Sequence, residues 1–224
     1  MAGRWQESGL RCGPEGKRMS IAVRSLTLLL VGLVAGTVSG HPAFSVDDLL
    51  RALRGGGHVI VFRHGATYSD QADTDPLNLE NVGQQRQLND EGRAQARAVG
   101  RVFETAEVPI GKSYSSRFYR AVETARLIGG KQPEATTDVT EGGLVVSPNE
   151  NSRRTQAFRA LVATVPAPGT NTLIVTHKPN LLDALGREWF DVKEGEASIF
   201  KPDGNGSYVL VARVQVGQWL TDTQ

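Results

Sequence analysis

The sequence predicts an α/β fold, a three-layer sandwich in which helices flank a mainly parallel central sheet and an antiparallel hairpin ends the chain. Two apolar, β-branched runs, residues 58–62 and 171–176, are each followed closely by a histidine. Such continuous runs are typical of strands that are buried on both faces of a parallel sheet. Segments of about 10 to 15 residues with helical periodicity alternate with them, as in βαβ units.

The first helices are predicted from their caps and their apolar spacing. Residues 45–57 indicate a short helix with Ser45 as N-cap and a glycine run at its end. Residues 88–107 indicate a helix of about four turns, with Ala94, Ala98, Val102 and Phe103 at inward helical spacing and Ala106 beyond. The strand at 58–62 lies between these two helices.

The second half of the chain continues the alternation. Residues 112–130 predict a brief strand, a serine turn and a helix, and residues 153–165 predict a further helix with Phe158 facing inward. Residues 197–216 predict two strands that are joined through the turn at 202–206. These two strands are the expected antiparallel C-terminal hairpin.

The N-terminal segment 1–40 has the pattern of a secretory signal peptide, and Met19 is an alternative start. Arg24 precedes an apolar run, residues 26–38, which is followed by small residues. The run is shorter than the ~20 residues that a membrane-spanning helix needs, so no permanent span is expected. The sequence therefore predicts a periplasmic or secreted protein whose residues 41–224 form a single domain.

Charge and cysteine content exclude several function classes. The formal net charge of +1 offers no basic surface for nucleic acid. The one cysteine, Cys12, lies in the predicted signal, and His41 and His58 stand in no ligand spacing. We therefore expect neither a cofactor nor a histidine- or cysteine-bound metal, whereas carboxylate-bound Mg²⁺ or Ca²⁺ stays open.

Histidines and arginines gather where the predicted strands end. The carboxyl ends of parallel strands lie at one edge of a sheet, so Arg63, His64, Arg120 and His177 are expected to converge there. Guanidinium groups match phosphate oxygens, and a neutral imidazole is a good nucleophile. Gly65 allows the backbone to approach a ligand. The pattern predicts a phosphoryl-binding site with His64 as nucleophile.

Three ordered motifs resemble the histidine phosphatase superfamily, which includes the phosphoglycerate mutases. They are Arg63-His64-Gly65, Ser115 with the segment RAVETA at 120–125, and LIVTHKPN at 173–180. The resemblance implies a phosphoglycerate mutase-like fold and phosphorylation of His64 during turnover. It also implies a phosphate pocket of Arg63, Arg120 and His177, and a carboxylate that protonates the leaving oxygen.

Other roles follow less directly from the motifs. Glu141 is the first candidate for the proton donor by position, and Glu150 is the second. Arg117 and Lys178 stand where many members of the family have other residues, which suggests added charge for a more anionic substrate. Similarity to small secreted bacterial members implies that Arg86 lies at the substrate mouth. The substrate-binding set is then Gly65, Arg86, Arg117 and Lys178.

The expected activity is that of a histidine acid phosphatase-type phosphomonoester hydrolase outside the cytoplasm. Its substrate is expected to be a small phosphate ester, for instance a phosphosugar or a lipopolysaccharide core. Two alternatives stay open: a mutase that transfers the phosphoryl group to an acceptor, and a non-catalytic binder of phosphorylated envelope molecules.

Overall fold

The computed structural model describes residues 45–143 and 145–221, so the predicted signal peptide and His41 lie outside the described residues. Within these ranges six strands form one sheet: β1 (Val59–Arg63), β2 (Ile110–Ser115), β3 (Glu134–Ala135), β4 (Asn171–Thr176), β5 (Ala197–Pro202) and β6 (Tyr208–Val214). Their order is β3-β2-β4-β1-β5-β6. The pairs among β1 to β4 are parallel, and β5 is antiparallel to β1 and β6. The mainly parallel sheet and the C-terminal hairpin are confirmed.

Helices cover both faces of the sheet: α1 (Val46–Arg54), α2 (Asp90–Thr105), α3 (Tyr119–Gly129), α4 (Pro148–Ala163), α5 (Lys178–Leu185) and α6 (Val216–Thr221). Successive residues of a strand point to opposite faces. In β1, Ile60 and Phe62 pack with α1, α2, α3 and α6, whereas Val59 and Val61 pack with α4 and α5. The three-layer sandwich is therefore confirmed. None of the helices in the described ranges combines the length and apolarity needed to cross a bilayer.

Local sequence rules account for the start of α1 but not for the rotation of α2. Ser45 Oγ accepts the Asp48 N–H at 3.1 Å, as expected of an N-cap. In α2 the predicted inward residues Val102 and Phe103 are buried, whereas Ala94 is exposed and Ala96 and Val99 are buried instead, so the prediction is confirmed for the second half of the helix and wrong at Ala94. The reason lies at Gly92, because a Cβ there would collide with the backbone of Ala66. This close approach of α2 to the segment after β1 sets the rotation of the helix.

Candidate active site

The two site histidines come together because β1 and β4 are adjacent and parallel. Arg63 pairs with Thr176 in the sheet register, and the His64 N–H donates to the Thr176 carbonyl at 3.0 Å. His177 follows Thr176 directly. The ring centroids of His64 and His177 are 5.1 Å apart. The structure thus places both imidazoles at one edge of the sheet, as the strand pattern predicts.

The ring of His64 has a defined tautomer. Its Nδ1 lies 2.8 Å from the carbonyl oxygen of Gly65, and a carbonyl only accepts, so Nδ1 carries the proton. Nε2 then keeps its lone pair. Burial lowers the pKa of His64 well below 6.5, and the positive charge of Arg120 lowers it further. His64 is therefore a neutral imidazole with an unprotonated Nε2.

Gly65 is fixed by two contacts behind the nucleophile. Its N–H donates to Thr124 Oγ1 at 3.1 Å, and a Cβ at Gly65 would lie 3.1 Å from the carbonyl oxygen of Gly92. The threonine belongs to α3, whereas Gly92 belongs to α2. Two helices therefore hold the carbonyl that orients the His64 ring.

His177 is oriented through its other ring nitrogen, Nε2, whereas His64 is held through Nδ1. Its Nε2 lies 2.7 Å from Ser116 Oγ, which also accepts the Phe118 N–H at 3.1 Å. Because that hydroxyl accepts from Phe118, its own proton is available for His177 Nε2. Nδ1 of His177 then carries a proton and lies 3.3 Å from Glu141 Oε1. Burial, followed by the charge of Arg120, lowers the pKa of His177 well below 6.5.

Two arginines, one fully buried and one partly buried, provide positive charge. Arg120 is completely buried and donates to Asp73 Oδ1 at 2.9 Å and to Glu141 Oε1 at 2.6 Å. Arg63 donates to the Val192 carbonyl at 2.8 Å and to Glu194 Oε1 at 3.3 Å. These contacts hold each guanidinium by its terminal nitrogens.

Three donors of this group form no hydrogen bond with the protein within the described part of the chain, although Glu141 Oε1 lies 3.3 Å from one of them. They are Arg63 Nε, Arg120 Nε and His177 Nδ1. A buried polar atom without a partner costs about 1–3 kcal/mol, so natural structures rarely keep one without a function. Oxygens of a bound phosphoryl group would accept from all three. The donor set therefore fits an anion with several oxygens.

Arg86 also belongs to this group, whereas Arg117 and Lys178 do not. The Arg86 backbone N–H donates to Asp73 Oδ1 at 2.9 Å, the same oxygen that accepts from Arg120, and the charge of Arg86 contributes to the lowered pKa of both histidines. Arg117 instead forms an ion pair with Glu80 at 2.6 Å, and the Lys178 ammonium lies 4.6 Å from the Phe190 ring centroid. Each of these two side chains contacts another surface group in this structure, and a role for either in substrate binding stays a prediction.

The two candidate proton donors differ in their surroundings. Glu141 contacts both Arg120 and His177 and is about one-fifth exposed. Glu150 lies in the first turn of α4, where Arg153 and Arg154 hold it and lower its pKa to about 2. Among the described residues the Glu150 carboxylate contacts only these two arginines and neither site histidine, whereas Glu141 lies against His177. The geometry favours Glu141.

Sequence reasoning missed several partners of the site. Ser116, not the neighbouring Ser115, contacts His177, and only the pairing of β2 with β4 decides between them. Thr124 stands inside the second motif without an assigned role. Asp73 and Glu194 lie in polar segments without periodicity, so no sequence signal marks them.

A known protein family matches the part of the chain that carries several of these site residues. Residues 59–145 match the model of the histidine phosphatase superfamily (branch 1). This segment of the chain is therefore similar to a histidine phosphatase superfamily domain. The matched range carries His64, Arg86, Arg120 and Glu141. No protein with a curated description matches the sequence.

Solved structures show the same fold at low sequence identity. The protein histidine phosphatase SixA complexed with tungstate is 18% identical, with a TM-score of 0.53, covering 71% of this chain and 97% of its own. A phosphoserine phosphatase from Entamoeba histolytica, in complex with 3-phosphoglyceric acid, is 19% identical, with a TM-score of 0.51 and coverages of 73% and 99%. The sheet and its helices form the phosphoglycerate mutase-like fold.

Proposed function

We propose that this protein is a phosphomonoesterase that works through a phosphohistidine on His64. One observation carries the proposal: the Gly65 carbonyl fixes the proton on Nδ1, so that Nε2 offers a lone pair beside buried arginines. A neutral imidazole that faces cations is suited to attack a phosphorus atom and to form a covalent intermediate. Similarity to the histidine phosphatase superfamily supports the same chemistry.

In the first half-reaction, Nε2 of His64 attacks phosphorus and forms the P–N bond. The bond between phosphorus and the ester oxygen breaks, and its electron pair goes to that oxygen. Glu141 gives the oxygen a proton, so that a neutral alcohol leaves. Arg63, Arg120 and the Nδ1–H of His177 bind the phosphoryl oxygens as charge develops on them.

In the second half-reaction, water attacks the same phosphorus. Glu141, now a carboxylate, accepts a proton from the water. The P–N bond breaks, its electron pair returns to Nε2, and inorganic phosphate leaves. The reaction returns His64 to its neutral form and Glu141 to its protonated form.

We also propose that the protein acts outside the cytoplasm. The basic and apolar pattern of the segment at 19–40 supports this location. A phosphosugar or a lipopolysaccharide core would then be an available substrate class. Fractionation of cells that make the full chain, with mass spectrometry of its N-terminus, tests this location. Recovery of uncleaved protein in the cytoplasm would contradict it.

Phosphate release by the purified full-length chain tests the activity. The substrates are ethyl phosphate, hexyl phosphate, 4-nitrophenyl phosphate and glucose 6-phosphate, each also tested with His64→Ala. We expect release by the natural chain, none by the variant, and inhibition by vanadate, which mimics the pentavalent geometry. Release that persists in His64→Ala, or strong inhibition by EDTA, would contradict the mechanism. Phosphoryl transfer to an acceptor would instead indicate a mutase, and binding without turnover a non-catalytic module.

A further inference from the structure

A cavity of about 650 Å³ lies beside the phosphate pocket. Asp73 and Glu141, the two carboxylates that bind Arg120, line one part of it. Phe118 lines it as well, and its ring contacts the His177 ring at a centroid distance of 5.4 Å. The cavity and the phosphate pocket therefore share a boundary formed by these three side chains. An alcohol that departs from the phosphorus atom on the side of Glu141 would enter this cavity.

The rest of the wall is largely apolar, and part of it is open to solvent. Leu77, Leu79, Val145 and Val146 line the cavity. The exposed fraction is 79% for Leu77 and 46% for Val145. Large apolar side chains that are grouped and exposed beside an active site mark a surface that binds a ligand. This wall can make more favourable contacts with an apolar group than with a polar group.

The two cations of the cavity are already neutralised by the protein. Arg117 pairs with Glu80, and Arg154 donates to Glu150 and to the Thr140 carbonyl. The Asp73 carboxylate at the inner boundary would repel a second anionic group on a substrate. The cavity thus lacks a free positive charge within the described residues, and it disfavours leaving groups that carry a carboxylate or a second phosphate.

We propose that the preferred substrate is the phosphomonoester of an uncharged, mainly apolar alcohol, either alkyl or aryl. This inference rests on the proposed function, because it places the departing alcohol next to Glu141. The phosphoryl group lies among the arginines and histidines, the ester oxygen lies at the boundary, and the apolar body contacts Leu77, Leu79 and Phe118. A compact polyhydroxylated alcohol such as a sugar would leave this wall unused.

The binding of hexyl phosphate and ethyl phosphate to full-length His64→Ala tests the inference by calorimetry. That variant cannot form the phosphohistidine, so affinity is measured without turnover. We expect hexyl phosphate to bind about tenfold more tightly or better, because its additional methylenes leave water. Glucose 6-phosphate should bind no more tightly than ethyl phosphate. Equal affinities, or tighter binding of glucose 6-phosphate, would overturn the inference.

Two double substitutions test whether this cavity causes the preference for hexyl phosphate. Leu77→Ser with Val145→Ser, added to His64→Ala, should remove at least about fivefold of the affinity for hexyl phosphate and leave ethyl phosphate unchanged. Both side chains are exposed, so folding should be preserved. Leu210→Ser with Val209→Ser on the edge strand β6 is the matched control and should change neither affinity. An equal loss in the control, or no loss in the first pair, would refute the assignment.

The two proposals fail in different ways. If the natural chain releases no phosphate from any ester but His64→Ala still prefers hexyl phosphate, the proposed activity is wrong and the apolar site stands. If phosphate is released equally well from ethyl and hexyl phosphate and their affinities are equal, the activity stands and the substrate class is wrong.

Discussion

His64 and His177 lie just beyond the ends of adjacent parallel strands, and both are almost completely buried. Their rings are nevertheless fixed through different nitrogens. A carbonyl holds Nδ1 of His64 and leaves a lone pair on Nε2, whereas a hydroxyl holds Nε2 of His177 and leaves Nδ1 as a donor. The difference teaches that, under the proposed mechanism, one ring can attack phosphorus while the other can bind the phosphoryl oxygens. Neither role follows from the residue type alone.

Replacing each histidine in turn should have the largest effect. We expect His64→Asn to lower kcat by about 10⁴-fold or more, because no nucleophile remains. His177→Asn should lower it by only about 10²- to 10³-fold, since one stabilising donor is weakened. Steady-state phosphate release measures both. Equal losses would remove the distinction between the two rings.

The next largest effect is expected at the carboxylate that faces His177. Glu141→Gln should lower kcat/KM for alkyl esters by about 10²-fold, because the departing alkoxide lacks a proton. The effect on 2,4-dinitrophenyl phosphate should be small, since that leaving group needs no proton. Glu150→Gln is the matched control. A loss that does not depend on the leaving group would show that Glu141 is not the acid.

The serine behind His177 should have a smaller effect. Ser116→Ala removes the partner of Nε2, so the ring can adopt the wrong tautomer, and we expect about a tenfold loss in kcat with little change in KM. Ser115→Ala is the control, because Ser115 Oγ has no hydrogen-bond partner among the described residues. If both variants lose the same activity, the Ser116 contact is not what orients His177.

The pH dependence of stability should reflect both rings. Burial lowers the pKa of His64 and of His177 below 6.5, so below that pH the unfolded chain binds more protons than the folded one. The free energy of unfolding should therefore fall as the pH drops below 6.5, by at most about 1.4 kcal/mol per pH unit for each ring. Urea titrations across this range measure the slope. His64→Asn should make the slope shallower; an unchanged slope would contradict the assignment.

The smallest effect is expected at the two cations that face away from both histidines. Arg117→Ala and Lys178→Ala should each change kcat/KM by less than about threefold, because their charges are used in exposed contacts. Arg86→Ala, which removes a charge near both rings, should cost more. A large loss of kcat/KM in Arg117→Ala would mean that the Arg117 side chain leaves Glu80 when substrate binds.

The sheet could be predicted from the sequence because its signals are local. The apolar runs of β1 and β4 and the turn of the hairpin each lie within a few residues, and both histidines follow directly from the strand ends. The exposure of Ala94 in α2 could not be predicted, since the rotation of the helix near its start depends on the contact of Gly92 with Ala66 from another segment.

The arginines and histidines of the site were likewise more predictable than the residues around them. Arg63, Arg120 and His177 stand in motifs, and the structure brings them together. Ser116 depends on the register between two strands, and Asp73 and Leu77 reach the site from an irregular loop. The apolar cavity is built mainly from such loops, so the substrate class had no signal in the sequence.

The most direct test of the account is to trap the phosphoenzyme and to locate its phosphate. The full-length chain would be mixed with 4-nitrophenyl phosphate, quenched in alkali, and digested for mass spectrometry and ³¹P NMR spectroscopy. The account predicts one phosphohistidine, at position 64 and on Nε2, because Nδ1 is held by the Gly65 carbonyl. Phosphate on His177, or on Nδ1 of His64, would contradict it.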